Sequence, residues 1–186
     1  RDGVQFRVDE RRYAVFPQKS GPLTIGPVNL TAQLGAASFG PFFRAPARQQ
    51  RLHSDPLTVN VRPIPAAFTG KHWLPVASLE LSETWTPAKL EVAAGDPVTR
   101  SIRVQARGAS VGMLPELMAG EMSAADLRQY PDQPVTQEEV SADGLRSQRE
   151  QKIALMAARP GTFALPAVEI PWWNTATDRM EVARLP

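Results

Sequence analysis

The chain has 186 residues, of which 42% are hydrophobic and 22% are charged, and its formal net charge is only +2. This composition is typical of one or two globular domains and excludes a disordered or collagen-like chain. The near-neutral charge argues against nucleic acid as a partner. The 18 prolines and 12 glycines interrupt helices and central strands, so we expect an all-β chain of many short strands.

A pattern near the start of the chain recurs near its end. Arg12–Leu30, the first repeat, resembles Lys152–Ile170, the second repeat, at a spacing of 140 residues. The matching positions are Ala14, Gly21, Leu23, Ile25, Val28 and Leu30, which fall on Ala154, Gly161, Phe163, Leu165, Val168 and Ile170. An Asp-Gly pair, which is a strong hairpin signal, precedes each repeat, as Asp2-Gly3 and Asp143-Gly144. We therefore expect a hairpin, a strand, a glycine turn and a further strand in each.

A last strand candidate follows each repeat, Leu57–Val61 after the first and Met180–Leu185 after the second, and the first connection is 17 residues longer. The proline-rich Arg62–Pro65 predicts a stiff, extended linker. We predict that residues 1–63 are the C-terminal half of an immunoglobulin-like module with a long loop insertion, and that residues 64–186 are a complete immunoglobulin-like β-sandwich module. The missing strands would lie upstream in a longer parent, and unpaired edges would favour self-association.

Three segments of the second module alternate between apolar and polar residues, as half-buried strands do: Ser78–Ser82, Lys89–Val92 and Val98–Ala106. Arg100 interrupts the apolar side of the third. Only Ser123–Leu127 favours a short helix.

Adjacent Trp172 and Trp173 would face opposite sides of a strand, which places one in the core and leaves the other partly exposed. An exposed tryptophan could bind a protein partner or stack on a sugar ring. The alternative is that both pack against the linker or the neighbouring module. Trp85 is expected in the core and Trp73 between the modules.

Three phenylalanines, Phe39, Phe42 and Phe43, lie in the predicted insertion. Aromatic residues in a loop are hard to explain by solvation, so they either fold back over the exposed sheet or present an adhesive patch.

No motif predicts catalysis, a metal or a cofactor. The chain has no cysteine and two distant histidines, His53 and His72, with no nucleophile elbow and no phosphate-binding glycine loop. Glu138 and Glu139 would point to opposite faces of a strand. We therefore expect a non-enzymatic protein.

The chain closes on TFALPAVEIPWWNTATDRMEVARLP, with its Pro-Trp-Trp after a G-x-x-x-L-P turn, and also contains YPDQP, GDPVTR and VFPQKSGPLTIGPV. Together these motifs resemble the BatD family, the oxygen-tolerance proteins. The resemblance covers about residues 11 to 186.

This resemblance implies immunoglobulin-like modules on the periplasmic side of the inner membrane, in a parent protein with a membrane anchor. It also implies an operon with a MoxR-type ATPase, von Willebrand A-domain membrane proteins and a tetratricopeptide-repeat protein, and it carries over no catalytic residues. Von Willebrand A domains commonly complete a metal site with a ligand carboxylate, which makes Asp132 and Glu116 contact candidates.

The function expected from this resemblance is a periplasmic scaffold for oxygen tolerance and envelope stress that docks the partner proteins of its operon. The alternatives are a glycan- or peptidoglycan-binding module that uses an exposed Trp172 or Trp173, and a hydrolase, for which the sequence offers no site.

Overall fold

The chain is built from β-strands. The computed structural model describes residues 8–34, 48–117 and 126–186, and within them the only helical element is a 3-10 turn at Val111–Met113. The strands are β1 (Gly21–Ile25), β2 (Asn29–Leu34), β3 (Arg48–His53), β4 (Leu57–Val61), β5 (Pro75–Val76), β6 (Ser78–Thr86), β7 (Pro97–Arg107), β8 (Leu127–Pro131), β9 (Val135–Ser141), β10 (Gly144–Ala157), β11 (Val168–Asn174) and β12 (Arg179–Leu185). The all-β prediction is confirmed. Across the described residues no helix has the length and hydrophobicity that a bilayer-spanning segment needs.

The described residues within Val15–Ile64 form one compact unit, a two-stranded antiparallel ribbon. β1 pairs with β4 and β2 pairs with β3 in one continuous register. Pro27 and Pro56 lie where the ladder is interrupted, because proline has no N–H to donate. Across this break the Val28 N–H donates to Ser54 Oγ and the Ser54 N–H donates to the Val28 carbonyl, both at 3.0 Å.

The ribbon carries apolar pairs directly across its two strands. Leu23 lies opposite Val59, Ile25 opposite Leu57, and Leu30 opposite Leu52. All of them except Leu23 belong to the exposed large hydrophobic residues of the chain.

Residues 8–14 and Pro65–Pro186 form the other compact unit, which contains two sheets. The larger sheet has the order β6-β7-β10, and both β8 and β9 pair with the far edge of β10. The smaller has the order β12-β11-β5. β10, with 14 residues, is long enough to accept two shorter strands in succession.

A bulge separates β8 from β9. Pro131 pairs with Ile153 and Val135 with Glu150, so three residues on one strand oppose two on β10. The buried Gln151 amide donates to the Asp132 carbonyl, and the Asp132 N–H donates to the Lys152 carbonyl at 2.9 Å. These bonds satisfy the extra backbone groups that a bulge creates.

The core of this unit lies between its two sheets. Alternate residues of each strand face inward, as in a β-sandwich. The larger sheet contributes Ile102, Val104, Ala106, Ile153 and Leu155, and the smaller sheet with its flanks contributes Leu74, Val76, Val168, Ile170, Trp172 and Leu185.

Some of the predicted strands are confirmed and others are wrong. Ser78–Ser82 and Val98–Ala106 lie in β6 and β7 as predicted, but Lys89–Val92 is a loop, because its alternation meets no neighbouring strand. Leu127, predicted to be helical, begins β8, where it pairs with β10. Residues 123–125 lie outside the described residues.

The Asp143-Gly144 turn is confirmed as the tip of the β9–β10 hairpin, with Gly144 at φ 111°. Asp2-Gly3 lies outside the described residues.

The internal repeat holds in part. β2 and β11 match at the predicted spacing, but β3, not Leu57–Val61, takes the place of β12, because Leu34 pairs with Arg48 as Asn174 pairs with Arg179. The predicted loop insertion therefore contains a strand. The sequence did not predict strand β3, because RQQRLH is mostly polar and does not alternate between apolar and polar residues.

Candidate functional site

The two adjacent tryptophans of β11 face opposite sides, as predicted, but both are buried. Trp172 belongs to the core and is 5% exposed, and Trp173 is 7% exposed. The prediction of a partly exposed tryptophan is wrong. The alternative, in which both pack against the linker or the neighbouring module, also differs from the structure, because Trp172 lies in the core and Trp173 packs on Trp73 of the same unit.

Trp173 is covered by the chain just after the predicted linker. Its ring lies 6.0 Å from that of Trp73, which meets Phe68 edge-on at 4.9 Å. The Trp173 indole N–H donates to Asp178 Oδ1 at 3.2 Å, so its polar atom is satisfied. Trp73, predicted to lie between modules, thus packs on Trp173 within its own unit.

Gly70 allows the segment that covers Trp173 to lie close to β11. A Cβ at this position would come within 2.5 Å of Phe68 Cζ and 3.0 Å of Pro171 Cβ. A glycine here lets the segment reach Trp173, and the covered indole offers no platform for a sugar ring.

A buried ion pair lies at the end of the core beside Trp85. Arg100 is 1% exposed; its Nε donates to Glu83 Oε2 at 2.7 Å, and its guanidinium lies 5.4 Å from the centre of the Trp85 ring. Both contacts stabilise a desolvated cation. They explain how the apolar side of β7 tolerates the arginine that interrupts it.

An apolar cleft of about 730 Å³ opens at the same end of the sandwich. Its floor is formed by the larger sheet, and its walls are formed by the loop before β7 and the loop before β11. The apolar lining includes Trp85, Leu90, Val92, Val98, Leu127, Leu155, Phe163 and Leu165.

Backbone and charge contacts fix the walls of this cleft. The Gly95 N–H, in a turn with φ 93°, donates to the Ala157 carbonyl at 2.9 Å. On the rim, Arg159 contacts Asp126 at 2.5 Å. The hydrogen bond that Arg159 donates to the Asp126 carboxylate, together with the negative charge of that carboxylate, raises the pKa of Arg159. The rim is therefore charged while the interior is apolar.

A second groove among the described residues is polar. Glu80, Gln105, Gln148 and Gln137 form one row across four strands of the larger sheet and line about 750 Å³. The Gln105 amide donates to Gln148 Oε1 at 2.6 Å. This row of polar side chains, with a hydrogen bond across two of its strands, is typical of a solvated sheet face.

The two acidic candidates are both exposed. Asp132 lies at the bulge, where Oδ1 accepts from the Gln133 N–H at 2.8 Å, and Glu116 lies between buried Leu114 and Leu117. No group of three or more metal-binding side chains occurs in the part of the chain that the structure describes. Phe39, Phe42 and Phe43 lie outside that part.

Sequence reasoning missed the cleft. Leu90 and Val92 were predicted to lie in a strand, and the walls that complete the cleft come from distant parts of the chain. The one available signal was an apolar run, Phe163 to Leu165, within the repeat but before its strand.

Comparison with family models, curated proteins and solved structures finds no match for this chain.

Proposed function

We propose that this chain is a non-enzymatic interaction module that docks partner proteins through the apolar cleft at the end of its β-sandwich. The observation that carries this proposal is the cleft itself. It is lined by aromatic and aliphatic side chains and rimmed by the Arg159–Asp126 pair. An apolar interior with a charged rim is the usual anatomy of a protein-binding surface.

Exposure of the lining supports this proposal. Leu90 is 55% exposed and Val92 is 39% exposed, so a partner that fills the cleft could cover both side chains. Covering an aliphatic side chain contributes up to about 1.5–3 kcal/mol when burial is complete. A partner that fills the cleft would gain this free energy from several residues at once.

The BatD resemblance supplies the setting of the proposal. On this resemblance we propose that the module lies in the periplasm, in a membrane-anchored parent that contributes to oxygen tolerance and envelope stress. The proposed partners are the von Willebrand A-domain proteins and the tetratricopeptide-repeat protein of the same operon. In this proposal the described sandwich is an immunoglobulin-like module, and the ribbon is the latter half of another.

The glycan-binding alternative depended on an exposed tryptophan in β11. Both tryptophans are buried, and Trp173 is covered by aromatic side chains of the same unit. No observation among the described residues favours this alternative.

The test is retention of purified von Willebrand A and tetratricopeptide-repeat proteins on the immobilised chain. Leu90→Asp places a charge on the cleft wall and should weaken binding by about tenfold or more, because it desolvates a carboxylate in the complex. Val182→Asp is the matched control, since Val182 is 50% exposed on β12 and does not line the cleft. Failure to retain either partner, or equal binding by the two variants, would refute docking through the cleft.

A further inference from the structure

Two arginines lie directly opposite each other on the outer face of the larger sheet. Arg107 of β7 pairs with Arg146 of β10, and both side chains are exposed. The same row continues to Ser78 of β6 and to Glu139 of β9. These four residues, here called the arginine row, line the polar groove next to its glutamines. Like charges that face each other across two strands destabilise a sheet, so the arginine pair requires an explanation.

The backbone holds the two arginines in place. Just beyond the arginine row, the Gly108 N–H donates to the Leu145 carbonyl at 2.9 Å, and the Ala77 N–H donates to the Arg107 carbonyl at 2.8 Å. The turn at Gly144, with φ 111°, closes the neighbouring hairpin. The strands therefore cannot shift in register to separate the two charges without breaking these contacts.

Other exposed arginines of this unit lie opposite a carboxylate. Arg103, also on β7, lies opposite Glu150, and its Nε and Nη2 donate to Glu150 Oε2 at 3.1 and 2.8 Å. In the smaller sheet Arg184 lies opposite Glu169, with 3.3 Å between Nε and Oε1. Neither guanidinium of the arginine row forms an ion pair or a hydrogen bond with a described residue. Both are thus available to an external carboxylate.

The charges of the groove indicate the kind of ligand that fits it. The two guanidiniums lie in the middle, and a guanidinium offers only donors. The carboxylates of Glu80 and Glu139 lie at the sides, on β6 and β9. A third carboxylate, that of Glu138, is already engaged, because its Oε2 accepts from the Val111 N–H at 2.7 Å. A complementary ligand therefore brings negative charge to the middle of the groove and positive charge to its side.

A segment of a protein matches this pattern better than a small anion does. The groove has a volume of about 750 Å³, far more than one phosphate or carboxylate group fills. A lone anion would also be repelled by the carboxylates at both sides. From β6 to β9 the arginine row presents a hydroxyl, two positive charges and a negative charge. The complementary sequence is two acidic residues followed by a basic one.

We propose that the arginine row binds an acidic segment of a partner protein. Carboxylates of that segment accept hydrogen bonds from Arg107 and Arg146, as Glu150 does from Arg103, and a basic residue of the segment lies beside Glu139. Hydrogen bonds between a guanidinium and a carboxylate are among the strong ones because both groups are charged. This surface shares no lining residue with the apolar cleft, so it is a second interaction surface and does not depend on docking through the cleft.

The probe is a labelled peptide of glycine and serine with Glu-Glu-Lys at its centre, titrated with the full chain and followed by fluorescence anisotropy. We expect saturable binding that weakens as sodium chloride is added. The matched peptide with Gln-Gln-Lys should bind about tenfold more weakly. No binding of the glutamate peptide, or equal binding of both peptides, would overturn the proposal. Binding of inorganic phosphate without binding of the glutamate peptide would overturn a protein segment as the ligand.

Substitutions of single arginines locate the site. Arg107→Gln and Arg146→Gln should each weaken binding of the glutamate peptide about fivefold. Arg128→Gln is the matched control, because Arg128 is exposed on the same face, opposite Met156 at the other end of β10. Equal effects of all three variants would mean that the peptide responds only to net charge, which would overturn the site. Leu90→Asp, in the cleft, should leave peptide binding unchanged, so the two interaction surfaces are tested separately.

A double-mutant cycle tests the contact with Glu139. Replacing the lysine of the peptide with glutamine should weaken binding to the unmodified chain about threefold and should not weaken binding to Glu139→Gln. Equal losses with the two chains would refute the proposed direction of the segment across the groove. Circular dichroism establishes that every variant is folded.

Discussion

Arg100 shows how one side chain can contradict a sequence pattern and still belong to the core. Its neighbours on the inner side of β7 are aliphatic, and period two places the arginine among them. A cation desolvated there is stable only if a carboxylate and a π-face replace water. Glu83 and Trp85, both on the adjacent strand β6, provide these contacts.

Removal of this arginine should therefore be far more costly than removal of its exposed counterpart. Arg103, also on β7, contacts Glu150 at 2.8 Å but is 47% exposed. We expect Arg100→Ala to lower the free energy of unfolding by about 3 kcal/mol, since it leaves Glu83 and a void behind. Arg103→Ala should lower it by about 0–1 kcal/mol.

Urea denaturation followed by circular dichroism measures both variants. Equal losses for Arg100→Ala and Arg103→Ala would show that the buried pair contributes no more to stability than a surface pair.

At the scale of elements, alternation predicted β6 and β7 and the opposite directions of Trp172 and Trp173. It could not predict the cover over Trp173, because Phe68 and Trp73 lie about a hundred residues earlier in the chain. It also failed where a strand depends on its neighbour. Lys89–Val92 alternates but is a loop, and β3 does not alternate but pairs with β2.

The β9–β10 hairpin depends on a glycine that the sequence did identify. Gly144 has φ 111°, a conformation that side chains rarely adopt. We expect Gly144→Ala to lower the free energy of unfolding by about 1–3 kcal/mol. Gly112→Ala, at a glycine without positive φ and with nothing within 4 Å of the added Cβ, should change it by less than about 0.5 kcal/mol.

Thermal unfolding monitored by circular dichroism compares the two alanine variants. An unchanged midpoint for Gly144→Ala would mean that the turn relaxes into another conformation at no cost.

At the scale of the whole molecule, the two units bury their apolar residues to different extents. Ile170 of β11 is 6% exposed, whereas its match in β2, Leu30, is 56% exposed. The difference follows from strand number, because β11 belongs to a sheet that packs on a second sheet, and β2 belongs to a ribbon of two strands. Two strands alone are marginally stable in water, and three or more with a covered apolar face are needed for independent stability.

This difference predicts separate opening of the ribbon. We expect the hydrogen-bonded amides of β1–β4 pairing and β2–β3 pairing to exchange with deuterium at least about a hundredfold faster than those of β7 and β10, because opening the ribbon exposes little additional apolar surface. The central strands of the larger sheet exchange only when the buried core is disrupted. Hydrogen exchange of the full chain, measured by mass spectrometry after peptic digestion, resolves the two sets of strands. Protection of the ribbon equal to that of β7 would contradict this prediction and would mean that the apolar side chains of the ribbon are covered in solution. In that case Leu30→Asp would lower the protection of the ribbon. Thr31→Asp, on the opposite side of the same strand, would not.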